Sequence, residues 1–139
     1  MKRVPKIIFN LALALCLGLL LPGTSAAQDG PQVFDVVISF DPSTETMSFS
    51  LDPVVVEQGR GDRIVFSAPD VESWRVAFAE GAPSPLRSRV VQGSGRQSRN
   101  VPVVPEAAPG TYKYNVSVTV GGRTYTVDPE IVVRPPRSG

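Results

Sequence analysis

The sequence predicts an all-β protein, a sandwich of two sheets. Three observations carry this prediction: apolar and polar residues alternate with period two, turn residues separate the alternating runs, and no run of ten or more residues has helical periodicity. The longest alternating run places apolar side chains on one face of residues 111–120: Tyr112, Tyr114, Val116, Val118 and Val120. Several short strands at near-regular spacing are typical of a sandwich.

About eight strands are predicted. In the first, Phe34, Val36, Ile38 and Phe40 form the apolar side of the alternation. The others follow from the same pattern and from the turns between them. The predicted strands are 33–40, 46–51, 54–57, 62–68, 73–78, 97–103, 111–120 and 123–133.

Turn chemistry marks the boundaries of these strands. Asp41-Pro42-Ser43 follows the first strand, and Gly59 and Gly61 precede the fourth. Gly121-Gly122 predicts a two-residue hairpin, because both glycines tolerate positive φ. Asp128-Pro129 predicts a bend or bulge, since proline cannot donate a ladder hydrogen bond.

Residues 80–100 are predicted to form one long, basic loop. The segment contains two prolines and three glycines, has few large apolar residues, and has no acid after Glu80. Long loops on rigid sandwiches often carry function. Its arginines are candidate contacts for an anionic partner, through forked guanidinium hydrogen bonds, or simply solvated loop charges: Arg87, Arg89, Arg96 and Arg99.

Residues 1–27 are predicted to be a secretory signal peptide. Three basic residues precede an apolar run over 7–21, and small residues precede a cut between Ala27 and Gln28. A retained membrane anchor is one alternative, although the run is shorter than the ~20 residues of a spanning helix; a lipoprotein cut at Cys16 is another. The remaining chain divides into a disordered linker at 28–32, a sandwich at 33–134 and a flexible tail at 135–139. The predicted location is the periplasm or the exterior of a bacterial cell.

Composition excludes much chemistry. The 139 residues include no His and one Cys, Cys16, so imidazole bases and cysteine-bound metals are excluded from the exported chain. Removing the leader leaves 11 basic and 13 acidic side chains, and the net charge of −2 disfavours nucleic acid and anionic membranes as partners. No G-x-S-x-G elbow occurs. We therefore expect no enzymatic activity and no cofactor.

Five segments together resemble the cupredoxins, the blue copper proteins. They match a strand pair of the type V-x-x-G-D-x-V-x-F, the strand with the first copper-binding histidine, a P-G-x-Y-x-Y strand and the closing strand: 52–59, 61–66, 73–78, 109–114 and 128–134. The resemblance covers most of residues 33–134. It implies a Greek-key, cupredoxin-like β-sandwich.

The copper ligands of that family are replaced. At the motif positions, Trp74 stands for the first histidine and Val116 for the cysteine, and a plain hairpin replaces the loop with the second histidine and the methionine. Met47 lies on a distant predicted strand. The resemblance therefore implies a copper-free module.

An immunoglobulin-like sandwich is the alternative fold. In that family a tyrosine at the position of Tyr112 hydrogen-bonds to the preceding loop. The Cys…Trp…Cys set of immunoglobulin domains is absent, and Tyr112 could form such a corner in either fold.

Two short patterns have ordinary interpretations beside functional ones. Asp41, Ser43 and Glu45 have the spacing that opens some calcium loops, but a simple turn is favoured because the later glycine and glutamate are missing. Arg60-Gly61-Asp62 matches a cell-adhesion tripeptide by letter, but Gly61-Asp62 belongs to the strand-entry pattern.

Trp74 is interpreted either as a core anchor or as a partly exposed platform for a sugar or peptide. For the whole chain, the leading hypothesis is a non-catalytic module for protein–protein interaction in the cell envelope, through residues 80–100 and edge strands. The alternative is a carrier of a small sugar or anion; a metal chaperone using carboxylates or Met47 is a third hypothesis. A pocket beside Trp74 lined by Arg75 or the loop arginines would favour the carrier, and a bare sheet edge would favour the interaction module.

Overall fold

The computed structural model describes residues 30–138. The predicted signal peptide, its cut site and Cys16 lie outside the described residues, so the leader stays a prediction. Residues 30–138 contain no helix capable of crossing a membrane.

The described chain is all-β, as the alternation predicts. Its eleven strands, in chain order, are β1 (Val33–Asp41), β2 (Thr46–Phe49), β3 (Val54–Glu57), β4 (Arg63–Ser67), β5 (Ser73–Ala77), β6 (Val90–Ser94), β7 (Ser98–Pro102), β8 (Gly110–Lys113), β9 (Asn115–Val120), β10 (Arg123–Val127) and β11 (Glu130–Arg134).

The first sheet has the strand order β2-β1-β4-β7. Strands β1 and β4 are parallel, whereas β2 and β7 are antiparallel to their neighbours. Strands β2 and β7 therefore form its edges.

The remaining seven strands form two ladders, β10-β9-β5-β6 and β3-β11-β8, and one long hairpin joins them into the second sheet of the sandwich. Strands β8 and β9 form one arm and β10 and β11 the other, and the same register runs from Val120↔Arg123 at the tip to Gly110↔Val133 at the base. The tip is Gly121-Gly122, with φ of 58° and 75°, which confirms the predicted two-residue turn. At the base β11 pairs with β3, and near the tip β9 pairs with β5, which pairs with β6.

The hairpin ladder is interrupted midway. Pro129 has no N–H to donate to the ladder. Only its carbonyl takes part, and it accepts a hydrogen bond from the Tyr114 N–H at 3.1 Å. The predicted irregularity at Asp128-Pro129 is therefore present, and it divides each predicted hairpin strand into two.

The core lies between the two sheets and contains the predicted apolar faces. Val36, Ile38, Val116 and Val118 are fully buried. Tyr114 packs among aromatic rings, with its centroid 6.0 Å from Phe66 and 5.7 Å from Phe78. These contacts bury large apolar areas, the dominant favourable contribution to folding.

The prediction of one loop over residues 80–100 is wrong. Residues 90–94 form β6, which was not predicted, and a short turn connects it to β7 at 98–102, which matches the predicted strand 97–103. Strand β6 was missed because its sequence, VVQGS, contains a glycine and buries one large side chain, that of Val91. The region thus contributes an edge strand to each sheet.

Asp62 anchors the entry to β4. Its carboxylate is buried and accepts hydrogen bonds from the Gln32 and Glu57 N–H groups, each at 3.0 Å, and from two nitrogens of Arg60, each at 2.7 Å. Because Arg60 and Asp62 bind each other, the tripeptide that they frame does not present both charges outward. The interpretation of Gly61-Asp62 as a strand-entry pattern is therefore favoured.

The turn after β1 is a hydrogen-bonded turn around Asp41. The Ser43 N–H and Oγ donate to Asp41 Oδ1 at 2.9 and 2.6 Å, and these bonds lower the pKa of Asp41. The Glu45 carboxylate is directed to Arg123 and Tyr125 instead. The side chains of Asp41, Ser43 and Glu45 therefore do not form one set of calcium ligands.

Tyr112 forms the predicted corner, since its hydroxyl donates to the Ala108 carbonyl at 2.6 Å. We expect Tyr112→Phe to lower the free energy of unfolding by about 1 kcal/mol, the usual net contribution of one such bond. Urea denaturation measures the change. Tyr125→Phe is the matched control: it removes a longer, exposed bond of 3.3 Å, so an equal or larger loss there would contradict this role for Tyr112.

Candidate functional site

The candidate site is a shallow depression of about 560 Å³ on the outward side of β5, β6 and β9, beside β10. We call this surface the arginine face. Its lining combines two arginines and two glutamines with five hydroxyl side chains and the residues Trp74 and Gly93: Arg75, Arg99, Gln92, Gln97, Ser73, Ser94, Ser117, Thr119 and Thr124.

Strand register places these polar side chains in rows. Residues that face each other across neighbouring strands lie on the same side of a sheet. One row is Ser94, Ser73, Thr119 and Thr124, and the next is Gln92, Arg75, Ser117 and Thr126. The alternation that buries Trp74 and Val76 therefore creates this polar surface on the opposite side.

Two arginines of the lining belong to strand positions next to Gln92. Arg75 is its register partner on β5, and Arg99 reaches across from β7 to donate its Nε–H to the Gln92 carbonyl at 2.9 Å. Both arginines are exposed. Within residues 30–138, Arg75 makes no side-chain hydrogen bond or ion pair, and the terminal nitrogens of Arg99 make none either. The face therefore presents guanidinium donors with unused capacity.

The described lining contains no carboxylate. Glu72, which precedes β5, directs its Oε1 to the Gly121 N–H at 2.9 Å. Nothing in the lining therefore neutralises Arg75 and Arg99, and the potential over the depression favours an anion.

Hydroxyl pairs flank the two arginines. The oxygens of Ser117 and Thr126 lie 3.0 Å apart, and those of Thr119 and Thr124 lie 3.3 Å apart. Each hydroxyl carries one donor and two acceptor sites, so such a pair retains hydrogen-bonding capacity for a ligand.

Trp74 lies under the arginine face, on the core side of the sheet. Its side chain is 2% exposed, which confirms the core-anchor interpretation and rules out the exposed platform in this conformation. The indole lies against Gly93, where a Cβ would come within 2.7 Å of its ring. Its Nε1 is buried without a hydrogen-bond partner in the described chain.

The four predicted loop arginines do not form one cluster. Arg99 lines the depression, and Arg96 is in the adjoining turn between β6 and β7. Arg87 and Arg89 precede β6 and so lie beyond its opposite end, where Arg89 donates to the Ala79 carbonyl at 2.6 Å. Neither Arg87 nor Arg89 lines the depression.

Arg75 was predicted only as a possible pocket lining, and the hydroxyl rows were not predicted. A signal for the rows was present. Ser73, Ser117 and Thr119 occupy the polar positions of predicted strands, but the register that aligns them requires knowing which strands are neighbours.

A second groove, of about 480 Å³, separates the edge strands β2 and β10. Its two sides are joined by side chains. The rings of Phe40 and Tyr125 are 4.5 Å apart, and an exposed ion pair joins Arg123 to Glu45 at 3.5 Å. Each of the two strands pairs with a neighbour on one side only, so this groove has bare sheet edges.

Comparison of the chain with protein-family models and with curated proteins gives no match. Among solved structures, the chain is similar to a pseudoazurin from Sinorhizobium. The two are 20% identical over 76% of each chain, with a TM-score of 0.44.

The residues at the motif positions do not fit copper. Trp74 and Val116 are buried side chains without an imidazole or thiolate donor, and the sequence has no histidine. A blue-copper site requires both kinds of ligand. In the described chain, no three Asp, Glu, Cys or His side chains are grouped to hold a metal.

Proposed function

We propose that the protein is a non-catalytic binding module, exported to the bacterial cell envelope, that holds an anionic partner on the arginine face. The observation that carries this proposal is that Arg75 and Arg99 line one depression whose described lining contains no acid. Export rests on the predicted leader. The sequence contains no histidine and no motif that pairs a nucleophile with a base. This supports a non-catalytic role.

The openness of the depression suits a surface of a larger partner better than a fully enclosed small molecule. Small-ligand pockets usually bury most of the ligand, whereas the outward side of a sheet contacts it from below only. Arginines are also frequent energetic centres of interfaces. A small-anion carrier is a second candidate. It is favoured because Arg75 and one of the predicted loop arginines, Arg99, line the depression beside Trp74.

The test is retention of the exported protein on envelopes isolated from its own cells. We expect co-sedimentation of the wild type, and at least a ten-fold weaker association of the Arg75→Gln, Arg99→Gln double variant, since each charged hydrogen bond contributes about 1.5–3 kcal/mol. Paired Arg87→Gln, Arg134→Gln substitutions remove the same charge at exposed positions outside the depression. Equal retention of the two double variants would overturn the assignment of the arginine face.

Protein–protein interaction by strand addition is the third candidate. The bare edges of β2 and β10 favour it, because an edge strand offers unpaired backbone groups to a partner strand. If this route dominates, a photo-crosslinking residue at Thr46 captures a partner and one at Gln92 does not.

We further propose that the sandwich is a copper-free relative of the cupredoxins. Its support is the motif order in the sequence and the apolar residues at the ligand positions. We expect equilibrium dialysis of the exported protein against Cu²⁺ to show no tight binding. Sub-micromolar, stoichiometric copper would contradict the inference from the missing ligands.

A further inference from the structure

We propose that the anionic partner of the arginine face is an acidic polysaccharide, whose carboxylate is bound by Arg75 and Arg99 and whose hydroxyl groups are bound by the surrounding polar rows. This inference rests on the proposed function and names its ligand class.

The two guanidinium groups favour a ligand that carries negative charge. Arg75 and Arg99 approach Gln92 from opposite sides, one from the neighbouring strand of the same sheet and one from β7. Planar guanidinium groups match the two oxygens of a carboxylate. Both arginines line the same depression, and neither takes part in an ion pair of the described chain, so a carboxylate bound there displaces none.

The rest of the lining favours a ligand that carries hydroxyl groups. Five hydroxyls and two side-chain amides surround the arginines, and each can both donate and accept. This is the complement of a ligand that carries several hydroxyl groups. A simple inorganic anion would use the arginines and leave these rows unused.

The position of the depression disfavours an acidic peptide. It lies on the side of the sheet, where the backbone groups of β5 and β9 are already paired with neighbours on both sides. A peptide therefore cannot add as a strand to β5 or β9, and within this sheet the outer edge of β6 is the one open beside the depression. The lining also offers no exposed large apolar side chain to anchor a peptide, since Trp74 is buried beneath the sheet.

The volume fits a short stretch of such a polymer. At about 560 Å³ the depression falls within the usual ~300–1,000 Å³ of ligand sites. Because it is open, the polymer can continue past the site in either direction.

Isothermal titration calorimetry of the exported protein tests this assignment. The probes are trigalacturonic acid, its neutral counterpart galactotriose, and poly-L-glutamate. We expect binding of trigalacturonic acid, at least ten-fold weaker binding of galactotriose, and a loss of at least ten-fold for the Arg75→Gln, Arg99→Gln variant but not for Arg134→Gln. Thermal melting confirms that each variant is folded.

A second pair of variants separates a saccharide site from a simple anion site. Ser117→Ala with Thr119→Val removes two hydroxyls and leaves both arginines. We expect it to weaken trigalacturonic acid at least five-fold while leaving any weak binding of poly-L-glutamate unchanged. Equal effects on both probes, or tighter binding of poly-L-glutamate, would overturn the polysaccharide assignment in favour of an acidic protein.

Failure of this inference is distinguishable from failure of the proposed function. If trigalacturonic acid does not bind while envelope retention still depends on Arg75 and Arg99, the ligand class is wrong and the arginine face stands. If retention is independent of these arginines, both proposals fail.

Discussion

Asp62→Ala is expected to lower the free energy of unfolding by about 3–5 kcal/mol, the usual effect of removing one partner of a buried ion pair. The variant leaves the Gln32 and Glu57 N–H groups and the Arg60 guanidinium without their common acceptor. These contacts tie the segment before β1 and the end of β3 to the start of β4. The loss therefore affects both sheets, and urea denaturation of the exported protein measures it.

Asp70→Ala is the matched control, because this exposed turn carboxylate makes no side-chain hydrogen bond in the described chain. We expect it to change stability by less than about 0.5 kcal/mol. Equal effects of the two substitutions would show that the network around Asp62 does not stabilise the fold.

The pH dependence of the Asp62 effect has a definite sign. Burial alone would raise the pKa of this carboxyl, but hydrogen bonds from Arg60 and from two backbone N–H groups hold its pKa below the usual value. A lowered folded-state pKa contributes stability above the unfolded pKa of about 3.9, and this contribution is lost as the pH falls through the folded value. The difference between wild type and Asp62→Ala should therefore narrow below about pH 4.

The contact between Trp74 and Gly93 is expected to produce the second large effect. Trp74→Ala removes a fully buried indole and should cost about 3–5 kcal/mol. Gly93→Ala adds a Cβ within 2.7 Å of the ring, so it should destabilise the fold by about 1–3 kcal/mol through overpacking. Without that clash, alanine in a strand would be more stable than glycine, and the sign of the change alone is therefore informative.

A double-mutant cycle isolates this contact. In a Trp74→Leu background, Gly93→Ala should cost less than in the wild type, with a coupling of about 0.5–3 kcal/mol. Ser94→Ala, at the next position of β6, should stay within about 0.5 kcal/mol of neutral in either background. A Gly93→Ala cost that is independent of Trp74 would contradict the close packing.

The sequence predicted those parts of the fold that depend on local pattern. Period-two alternation located β1, β5 and β9, and Gly121-Gly122 located the hairpin tip, because these signals lie within a few residues of one another. It failed for β6, whose pairing with β5 depends on a partner thirteen or more residues away and on a glycine that accommodates Trp74.

The candidate site was predictable only in its parts. Arg99 was named as a basic residue and Arg75 as a possible lining, but their position around one depression depends on β6 and β7 belonging to different sheets. Arg87 and Arg89 look equivalent to Arg96 and Arg99 in sequence. In the structure, β6 lies between the two pairs along the chain, so that one pair precedes this strand and the other follows it. Because β6 was not predicted, this difference was not predicted either.

The most direct test of the binding surface is site-specific photo-crosslinking in the native cells. A photoreactive residue replaces Gln92 on the arginine face or, as a control, the exposed Asp35 on β1, an interior strand of the first sheet. We predict that position 92 attaches the protein to an envelope component, and that this product disappears with Arg75→Gln, Arg99→Gln. Equal crosslinking from positions 35 and 92, or a product at 92 that persists without both arginines, would contradict the account.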